Sequence, residues 1–540
     1  MSQLKERITL SADDIKERLW TQDGLHFGHP LTPLFASYMV PAMTDGTRRA
    51  FESLKSPMRQ FISKIHDGYY YQSVVPAEGD PRAIEREHRA VVAPLMGHLR
   101  ENLARYVEDV LWPMHEEIDT LARTTQTNAD AIATLSRLEE IYSTFWEAHF
   151  RIVMPRMAAG LGFEAVFKEA FPDLNSAEAY NLFVGVMNKT LESDRALWQL
   201  AEQAKREPQV MKALYSEDIA QALQSSPACE EYWTSVQNYL SVYGWRTMYA
   251  HEFIHETWIE SPNYCLSIVR RYVEQDFDFD QHWGGIIKNR EKRFQELLQQ
   301  IGDASLRTRF QEQYANALEA WPIDEDHHFY IDAMLPARSR QIIRRVGALL
   351  ADQGLLRTSD DICFLYLDEV MDSLSGSVPP TLQDRIDERR RAYHQQRQTT
   401  PVPQLGTPPE HSADHDPVSS LVFGAGSPGL EGATHEVRGF AASPGRYVGP
   451  VRIVRSPEEF FKVQHGDVLV CRTTAPSWTG LFATVGAVIT ETGGILSHAS
   501  TVAREYGIPC VVGTREATRV FHDGDRVLVD GNRGIAVIEH

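Results

Sequence analysis

Apolar residues recur at three- and four-residue spacing through most of the first 397 residues, with charged residues on the opposite faces. This is the periodicity of amphipathic helices that pack against one another. The clearest helical stretches are Leu99–His115, Ala129–Ala159, Ala177–Lys205, Ile286–Ile301 and Arg338–Leu356. Ser56-Pro57 and Ser261-Pro262 are typical of helix starts, so we expect a helix after each. The pattern predicts a large, mostly α-helical domain over residues 1–397.

The composition changes at residue 398. Residues 398–436 are rich in Pro, Gly, Ser and Thr, and such a segment buries too little apolar surface to hold one conformation. Gly424, Gly426 and Gly429 match the GxGxxG pattern of dinucleotide-binding loops. That pattern needs a strand before it and a helix after it, and neither is indicated here. The segment is therefore predicted to be a flexible linker.

After residue 436 the apolar pattern becomes that of strands, with short β-branched runs bounded by Gly or Asp-Gly turns. The predicted strands are Tyr447–Val454, Asp467–Cys471, Ala487–Glu491, Pro509–Gly513, Arg526–Asp530 and Ile535–Ile538. The helices predicted between them are Pro457–Val463, Ser477–Val485 and Ser497–Tyr506. The predicted fold class is therefore multidomain, with a large mostly α-helical domain and a small C-terminal α/β domain over residues 437–540.

Composition and charge narrow the function classes. The 540-residue chain has 54 Lys and Arg against 74 Asp and Glu, a net charge of −20, which argues against a nucleic-acid binder. Residues 437–540 carry 11 basic and 10 acidic residues, so the excess negative charge lies in the rest of the chain. The sequence has no apolar run long enough for a membrane helix. Five scattered cysteines without a CxxC pair predict reduced thiols and a cytoplasmic protein.

The segment from Thr490 to Arg504 carries the chemistry. A predicted strand ends there, Gly493 and Gly494 follow, and His498 lies in the first turn of the next helix. A helix N-terminus offers unpaired N–H groups and a positive dipole end to a phosphoryl group, and glycines allow its close approach. The pattern suits a phosphohistidine at His498, and the alternative at this point is a histidine that merely caps a surface helix. The phosphate-binding candidates are Gly493, Gly494, Ser497 and Arg504.

Residues 437–540 resemble the swivelling phosphohistidine domain of the phosphoenolpyruvate-utilising enzymes. The matching segments are ASPGRYVGPVRIV (442–454), GDVLVCRTTAPSWTGLF (466–482), GGILSHASTVAREYGIPCVVG (493–513) and DGDRVLVDGNRGIAVI (523–538). The resemblance implies that His498 accepts a phosphoryl group and carries it between two active sites. Leu496 stands where dikinases of the family usually have Thr, and Ser497 is closer to the rifampicin phosphotransferase pattern.

The helical domain is similar, more patchily, to the substrate-binding domain of rifampicin phosphotransferase. The similar segments are Trp20, HFGHPLTPLF (26–35), GWR (244–246), Trp258 to Pro262 and SDDICFLYLDEV (359–370). No GxxxxGK[ST] nucleotide loop is present. The layout resembles the phosphohistidine-bearing subunit of phenylphosphate and alkylphenol phosphate synthases. That resemblance implies a separate ATP-grasp-type partner subunit that binds ATP and Mg²⁺, with no tightly bound cofactor on this chain.

The string HEFIH at residues 251–255 has two interpretations. On a helix, His251 and His255 would share a face and bind zinc, with Glu252 as the base of a peptidase. No third-ligand motif follows, so no residue is assigned to a metal. Alternatively, one of the three takes the proton from an acceptor hydroxyl, and Arg246 neutralises charge on the transferring group.

Two further sets are candidates for binding the acceptor. The aromatic residues that could line a slot for a ring are Trp245, Tyr249, Phe253 and Trp258. The residues of a loop near the N-terminus, bounded by Gly and Pro, are Asp23, His26, Phe27 and His29. Loops carry binding and catalytic residues more often than packed elements do.

The resulting prediction is a subunit of an ATP-dependent phosphotransferase. A partner phosphorylates His498, and the group passes to a small hydroxyl, a phenol or alkylphenol, giving an aryl phosphate. One alternative keeps the relay with another acceptor, an antibiotic hydroxyl or pyruvate. Another is a phosphorelay or regulatory binding module. The zinc peptidase is the remaining alternative.

Overall fold

In the computed structural model the described residues are 2–407, 427, 432 and 434–539. They divide into two compact units that interleave along the chain. Unit 1 consists of the residues up to Met157, Ala250–His255, and the residues from His327 to 407. Unit 2 consists of residues 158–249, 256–326 and the described residues from 427 onward. The predicted fold class, a multidomain chain with a large helical region and a C-terminal α/β domain, is confirmed.

The helices of the described residues are numbered here in chain order. They are α1 (Gln3–Ile8), α2 (Ala12–Glu17), α3 (Pro33–Ser53), α4 (Pro81–Val92), α5 (Leu99–Tyr106), α6 (Trp112–Thr124), α7 (Asn128–Ala170), α8 (Ser176–Tyr180), α9 (Lys189–Ala204), α10 (Pro208–Leu214), α11 (Ile219–Gln224), α12 (Glu230–Tyr243), α13 (Asn263–Gln275), α14 (Phe279–Gln300), α15 (Ala304–Ala320), α16 (Ile323–His327), α17 (Met334–Asp352), α18 (Leu367–Leu374), α19 (Leu382–Gln396), α20 (Thr479–Phe482), α21 (His498–Glu505) and α22 (Ala517–Val520). Two π-helical turns cover Val107–Leu111 and His328–Ala333. Among the described residues, no helix is both long and apolar enough to cross a membrane.

The strands are numbered in the same way. They are β1 (Trp20–Gln22), β2 (Met58–His66), β3 (Tyr69–Pro76), β4 (Gln404–Leu405), β5 (Glu436–Arg438), β6 (Phe440–Ser443), β7 (Arg446–Ile453), β8 (Val468–Cys471), β9 (Ala487–Thr490), β10 (Cys510–Val512), β11 (Arg526–Asp530) and β12 (Ile535–Ile538). The first four form an antiparallel sheet in unit 1, in the order β2-β3-β1-β4.

The sheet of unit 1 corrects the prediction that a helix follows Ser56-Pro57. The chain there enters strand β2, which pairs with β3 as a hairpin. Asp67 and Gly68 form its turn, both with positive φ, 47° and 81°. Asp-Gly is favoured in such tight turns because both central residues must adopt the left-handed region. The Asp-Gly pair and the alternating pattern around it are the sequence signals of this hairpin.

A second helical prediction is only partly correct. The stretch Ala177–Lys205 forms two helices, α8 and α9, separated by irregular residues. Gly185 lies in this break with φ 78°, a conformation that side-chain-bearing residues rarely adopt. The backbone N–H of Gly185 donates to Oε2 of Glu505 at 2.8 Å, so the break is tied to the end of helix α21.

Unit 2 contains an eight-stranded sheet in the order β5-β12-β11-β7-β8-β9-β10-β6. Strands β7 to β10 are mutually parallel in its centre, and β11, β12, β5 and β6 pair antiparallel at the sides. Buried aliphatic residues of the central strands alternate between two apolar clusters, one on each face. Helix α21 connects the parallel strands β9 and β10, so its N-terminus lies at the carboxyl edge of the sheet. In open parallel sheets this edge is where ligands bind.

The predicted linker, residues 398–436, lies mostly outside the described residues. The three glycines of its GxGxxG pattern, Gly424, Gly426 and Gly429, are among those not described. Its first residues are described up to 407 and include strand β4, which pairs with β1. Its last residue, Glu436, begins strand β5. The predicted domain boundaries at 397 and 437 remain predictions.

Candidate functional site

His498 is the first residue of helix α21 in unit 2. The preceding loop leaves strand β9 and passes through Gly493, whose φ of 95° favours glycine. Gly494 follows, and its carbonyl accepts the backbone N–H of Ser497 at 3.1 Å. The histidine therefore lies where a helix offers unpaired N–H groups to an anion, as the sequence predicts.

A carboxylate holds the imidazole of His498. Oε1 of Glu325, from helix α16, lies 3.1 Å from Nδ1 of His498. The hydroxyl of Thr190 donates to Oε2 of Glu325 at 2.7 Å, which fixes the orientation of the carboxylate. On the other side of the ring, Oγ1 of Thr479 lies 3.5 Å from Nε2. An Nδ1–H donated to Glu325 leaves the lone pair of the neutral ring on Nε2, and the role of this nitrogen as a nucleophile remains a prediction.

The two remaining phosphate-binding candidates are engaged differently than the sequence suggests. Ser497 is the N-cap residue, but its hydroxyl makes no cap hydrogen bond and instead pairs with the hydroxyl of Ser500 at 3.0 Å. Arg504 is buried, and burial lowers its pKa to about 10. Its guanidinium nitrogens have no hydrogen-bond partner among the described residues, and it lies 6.0 Å from the ring centre of Tyr180. Its contact with a phosphoryl group remains a prediction.

The candidates from the N-terminal loop come together in unit 1. Nδ1 of His26 lies 2.9 Å from Oδ2 of Asp23, whose other oxygen accepts the backbone N–H of His26 at 3.0 Å. Burial favours the neutral form of His26, but the Asp23 carboxylate outweighs it and raises the pKa of His26 above its ordinary value. His29 is tied to two backbone carbonyls, those of Pro30 and Ala250, and burial lowers its pKa. Asp23 and His26 therefore form a hydrogen-bonded acid–imidazole dyad.

Phe27 and Phe253 are packing residues in this structure. Phe27 has no exposed surface and stacks on Tyr70, with ring centres 4.3 Å apart. Phe253 is equally buried, against Phe35 at 5.0 Å and Tyr38 at 6.0 Å. Their contact with an acceptor ring remains a prediction.

The HEFIH segment is not a helix, which removes the geometric basis of the zinc-peptidase interpretation. His251 has φ 60°, and the segment runs as an irregular loop. Glu252 turns away from solvent and accepts the backbone N–H and the hydroxyl of Thr32, each at 2.7 Å. Thr32 precedes helix α3, so Glu252 satisfies groups at the start of that helix. The ring of His255 lies 6.4 Å from that of His29.

Burial shifts the two ionisable groups at the start of HEFIH in opposite directions. It raises the pKa of Glu252 to about 7 and lowers the pKa of His251 to about 3. Glu252 has both carboxylate oxygens in hydrogen bonds, and His251 is 3% exposed. Their role as a general base remains a prediction.

Four histidines surround one carboxylate, Asp332, in unit 1. The distances to its oxygens are 2.9 Å from Nδ1 of His328, 3.3 Å from Nε2 of His251, 3.7 Å from Nδ1 of His149 and 3.8 Å from Nε2 of His327. Burial favours the neutral acid, but the histidines hold the pKa of Asp332 well below its ordinary value. Of these residues, sequence reasoning singled out His251 alone. The sequence signal that could have found this cluster is the pair His327-His328 followed by Asp332 about one helical turn later.

The other predicted acceptor residues belong to unit 2. The guanidinium of Arg246 lies 5.0 Å from the ring centre of Trp258, and both residues are buried. The hydroxyl of Tyr249 donates to Glu458 at 2.8 Å. Trp245 is half-buried beside Arg246 in the chain. Their roles toward an acceptor remain predictions.

Comparisons with known proteins agree with this site. Residues 463–534 match the PEP-utilising enzyme mobile domain. Residues 148–321 match the fourth domain of rifampicin phosphotransferase. The predicted resemblance to the phosphoenolpyruvate-utilising enzymes is therefore confirmed, and His498 lies within the matched mobile domain.

Relatives that match most of the chain include two named as phosphotransferases. The chain is 33% identical to an uncharacterised phosphotransferase of Bacillus subtilis, YvkC, over 98% of this chain and 63% of that protein. It is 30% identical to chondramide synthase of Chondromyces crocatus, over 96% of this chain and 14% of that protein. A rifampicin phosphotransferase of Streptomyces sviceus is 25% identical over 72% of this chain and 44% of that protein. The chain thus spans less than two thirds of each of these relatives.

Proposed function

We propose that this chain is a phosphotransferase that carries a phosphoryl group on Nε2 of His498 and transfers it to the hydroxyl of a small phenolic acceptor. The observation that carries the proposal is the 3.1 Å contact between Nδ1 of His498 and Glu325 at the start of helix α21. The mobile-domain match and the relatives named phosphotransferases support it.

The first half-reaction uses this contact. Nε2 attacks phosphorus, a nitrogen–phosphorus bond forms, and the bond from phosphorus to the leaving oxygen of the donor breaks. The Nδ1–H donated to Glu325 stabilises the positive charge that develops on the ring. The N-terminal N–H groups of helix α21 stabilise the incoming phosphoryl oxygens.

The donor is proposed to be ATP with Mg²⁺, bound by a separate ATP-grasp-type partner subunit. The resemblance to phenylphosphate synthase supports this arrangement. The overall reaction converts ATP, a phenol and water into an aryl phosphate, AMP and phosphate. Cytoplasmic localisation remains a prediction.

The acceptor is proposed to bind at the dyad of His26 and Asp23 in unit 1. A phenol has a pKa near 10, so its attack on phosphohistidine is helped by a general base. The dyad of His26 and Asp23 suits this role because the Asp23 carboxylate at Nδ1 stabilises the imidazolium that forms when the ring takes a proton. The His26 side chain is also 26% exposed.

A second acceptor class is an antibiotic hydroxyl. The match of residues 148–321 to the fourth domain of rifampicin phosphotransferase favours it. Both acceptor classes use the same relay through His498. They differ only in which compound removes the phosphoryl group.

The test is product formation by the chain with the ATP-grasp subunit, ATP, Mg²⁺ and either phenol or rifampicin, followed by ³¹P NMR. We expect aryl phosphate with phenol from the wild type and none from His498→Ala. His522→Ala is the matched control, because His522 is an 80% exposed histidine of the same domain. Aryl phosphate formed at the wild-type rate by His498→Ala would contradict the proposal. Product with rifampicin alone would replace the phenolic acceptor by the antibiotic.

A further inference from the structure

Unit 1 contains a set of metal-ligating atoms that the proposed transfer does not use. His149 from helix α7, His327 and Asp332 each direct one ligand atom to a common point, and these three atoms all lie within 4.8 Å of one another. All three residues are buried. Two imidazoles and one carboxylate are a donor set found in sites for transition metals.

Nδ1 of His149 has no hydrogen-bond partner among the described residues. His149 is 7% exposed, so solvent does not replace the missing partner. The rings of Trp146 and Phe150 lie 4.7 Å and 4.8 Å from the His149 ring and form an apolar wall. Buried polar atoms without partners are unusual and call for a ligand that supplies them.

We propose that His149, His327 and Asp332 bind a divalent transition-metal ion of the zinc class. The imidazole donors favour such an ion over Mg²⁺ and Ca²⁺, which prefer oxygen ligands. Three protein ligands leave a coordination position for water or for another small oxygen ligand. Binding of the ion at these three residues does not require phosphoryl transfer through His498.

The ligand atoms lie somewhat farther apart than in a zinc site. Zinc binds nitrogen and oxygen ligands at about 2.0–2.1 Å, which separates two tetrahedral ligand atoms by about 3.3 Å. Oδ2 of Asp332 lies 3.7 Å from Nδ1 of His149 and 3.8 Å from Nε2 of His327, and the three ligand atoms lie within 4.8 Å of one another. Binding of the ion would draw these atoms together.

The surrounding groups resemble the outer shell of a metal site. Nδ1 of His328 lies 2.9 Å from Oδ2 of Asp332, and Nε2 of His251 lies 3.3 Å from Oδ1. Hydrogen bonds between a ligating carboxylate and neighbouring histidines orient the ligand. His328 to Ala333 forms a π-helical turn, a feature that often marks functional sites.

The test is metal binding by the full chain without ATP or acceptor. Metal-free protein is titrated with Zn²⁺ against a chromogenic chelator and, separately, with Co²⁺, whose visible absorption reports imidazole coordination. We expect one ion per chain in the wild type, and at least about tenfold weaker binding in His149→Gln and in Asp332→Asn. His66→Ala is the control, because His66 is a 31% exposed histidine of the same unit.

The fold of each variant is checked by its circular dichroism spectrum and Tm. If both buried variants fail to fold, thermal shifts of the wild type decide, because an ion bound only by the native state raises Tm by an amount that grows with the logarithm of its concentration relative to Kd. Absence of a Zn²⁺-dependent rise in wild-type Tm, or equal binding by folded His149→Gln and Asp332→Asn, would overturn the proposal. His498→Ala should bind the ion normally, so loss of transfer and loss of metal binding are distinguishable.

Discussion

The carboxylate of Glu325 and the imidazole of His498 form a hydrogen bond, with Oε1 3.1 Å from Nδ1. Both side chains are buried, 4% and 7% exposed, and Thr190 holds the second oxygen of Glu325. A carboxylate in this position selects one tautomer of the ring and directs the Nε2 lone pair away from itself. In the proposed transfer, the pair therefore leaves Nε2 as the reacting nitrogen.

Replacing Glu325 tests its positioning role. Glu325→Gln removes the negative charge that favours the positively charged ring, so we expect phosphorylation of His498 to slow by about 10² or more. The measurement is single-turnover phosphorylation with the partner subunit and labelled ATP. Glu312→Gln, an exposed glutamate on helix α15, is the control and should keep the wild-type rate.

Asp23 is expected to affect only the second half-reaction. Asp23→Asn keeps an oxygen that can accept the backbone N–H of His26, but it loses the charge that supports His26 as a base. We expect transfer to phenol to slow by about 10²-fold, with no change in phosphorylation of His498. The two steps are measured separately, by loading the protein first and then adding phenol. Equal slowing of both steps would remove His26 and Asp23 from the acceptor site.

Glu252 is expected to stabilise unit 1 without acting as a base. Glu252→Ala leaves the N–H and the hydroxyl of Thr32 buried without an acceptor, which costs about 2–4 kcal/mol. Glu252→Gln keeps one acceptor and should cost less. The measurement is thermal unfolding, with exposed Glu256→Ala as the control, expected to change stability by less than about 0.5 kcal/mol. A Glu252→Gln protein that folds normally but transfers no phosphoryl group would restore the base role.

Glu505 gives unit 2 a pH-dependent stability. Burial raises the pKa of Glu505 to about 8. The nearby carboxylate of Glu325 raises this pKa further, whereas hydrogen bonds from Gly185 and Trp321 and the charge of Arg290 lower it. The folded unit keeps a proton that an unfolded glutamate, with its ordinary pKa of 4.5, has released. Its stabilising contribution is therefore complete below about pH 4.5 and is lost as the pH rises through about 8.

The corresponding variant is Glu505→Gln, which has no proton to lose. We expect the Tm of the wild type to fall relative to that of Glu505→Gln between pH 5 and pH 9. Differential scanning calorimetry in matched buffers measures the difference. Parallel Tm curves over this range would contradict the buried, protonated glutamate.

The sequence predicted the C-terminal α/β domain well because its signals are local. Strands β8 to β12 are β-branched runs between glycine turns, and the glycines before His498 precede a helix in the structure as in the pattern. The two edge strands β5 and β6 were missed, since each is short and follows the Pro- and Gly-rich segment. The hairpin of β2 and β3 was missed because the surrounding chain is so strongly helical.

The partners of the site residues could not be predicted in the same way. Glu325 lies in an acidic run, DED, and nothing local distinguishes the carboxylate that contacts His498 from its neighbours. His149 lies within a long amphipathic helix and meets Asp332 only through tertiary folding. The HEFIH string suggested a zinc site because its spacing would place two histidines on one face of a helix. The segment is not a helix, and His251 has a left-handed backbone conformation.

We propose that His498 carries the phosphoryl group to the acceptor. A pulse–chase experiment tests it most directly: the chain is loaded from labelled ATP by the partner subunit, freed of nucleotide, and mixed with phenol. We predict acid-labile label on the peptide that contains His498, and its stoichiometric appearance as aryl phosphate after the chase. Label that stays on the protein while aryl phosphate forms from ATP at the full rate would contradict the account.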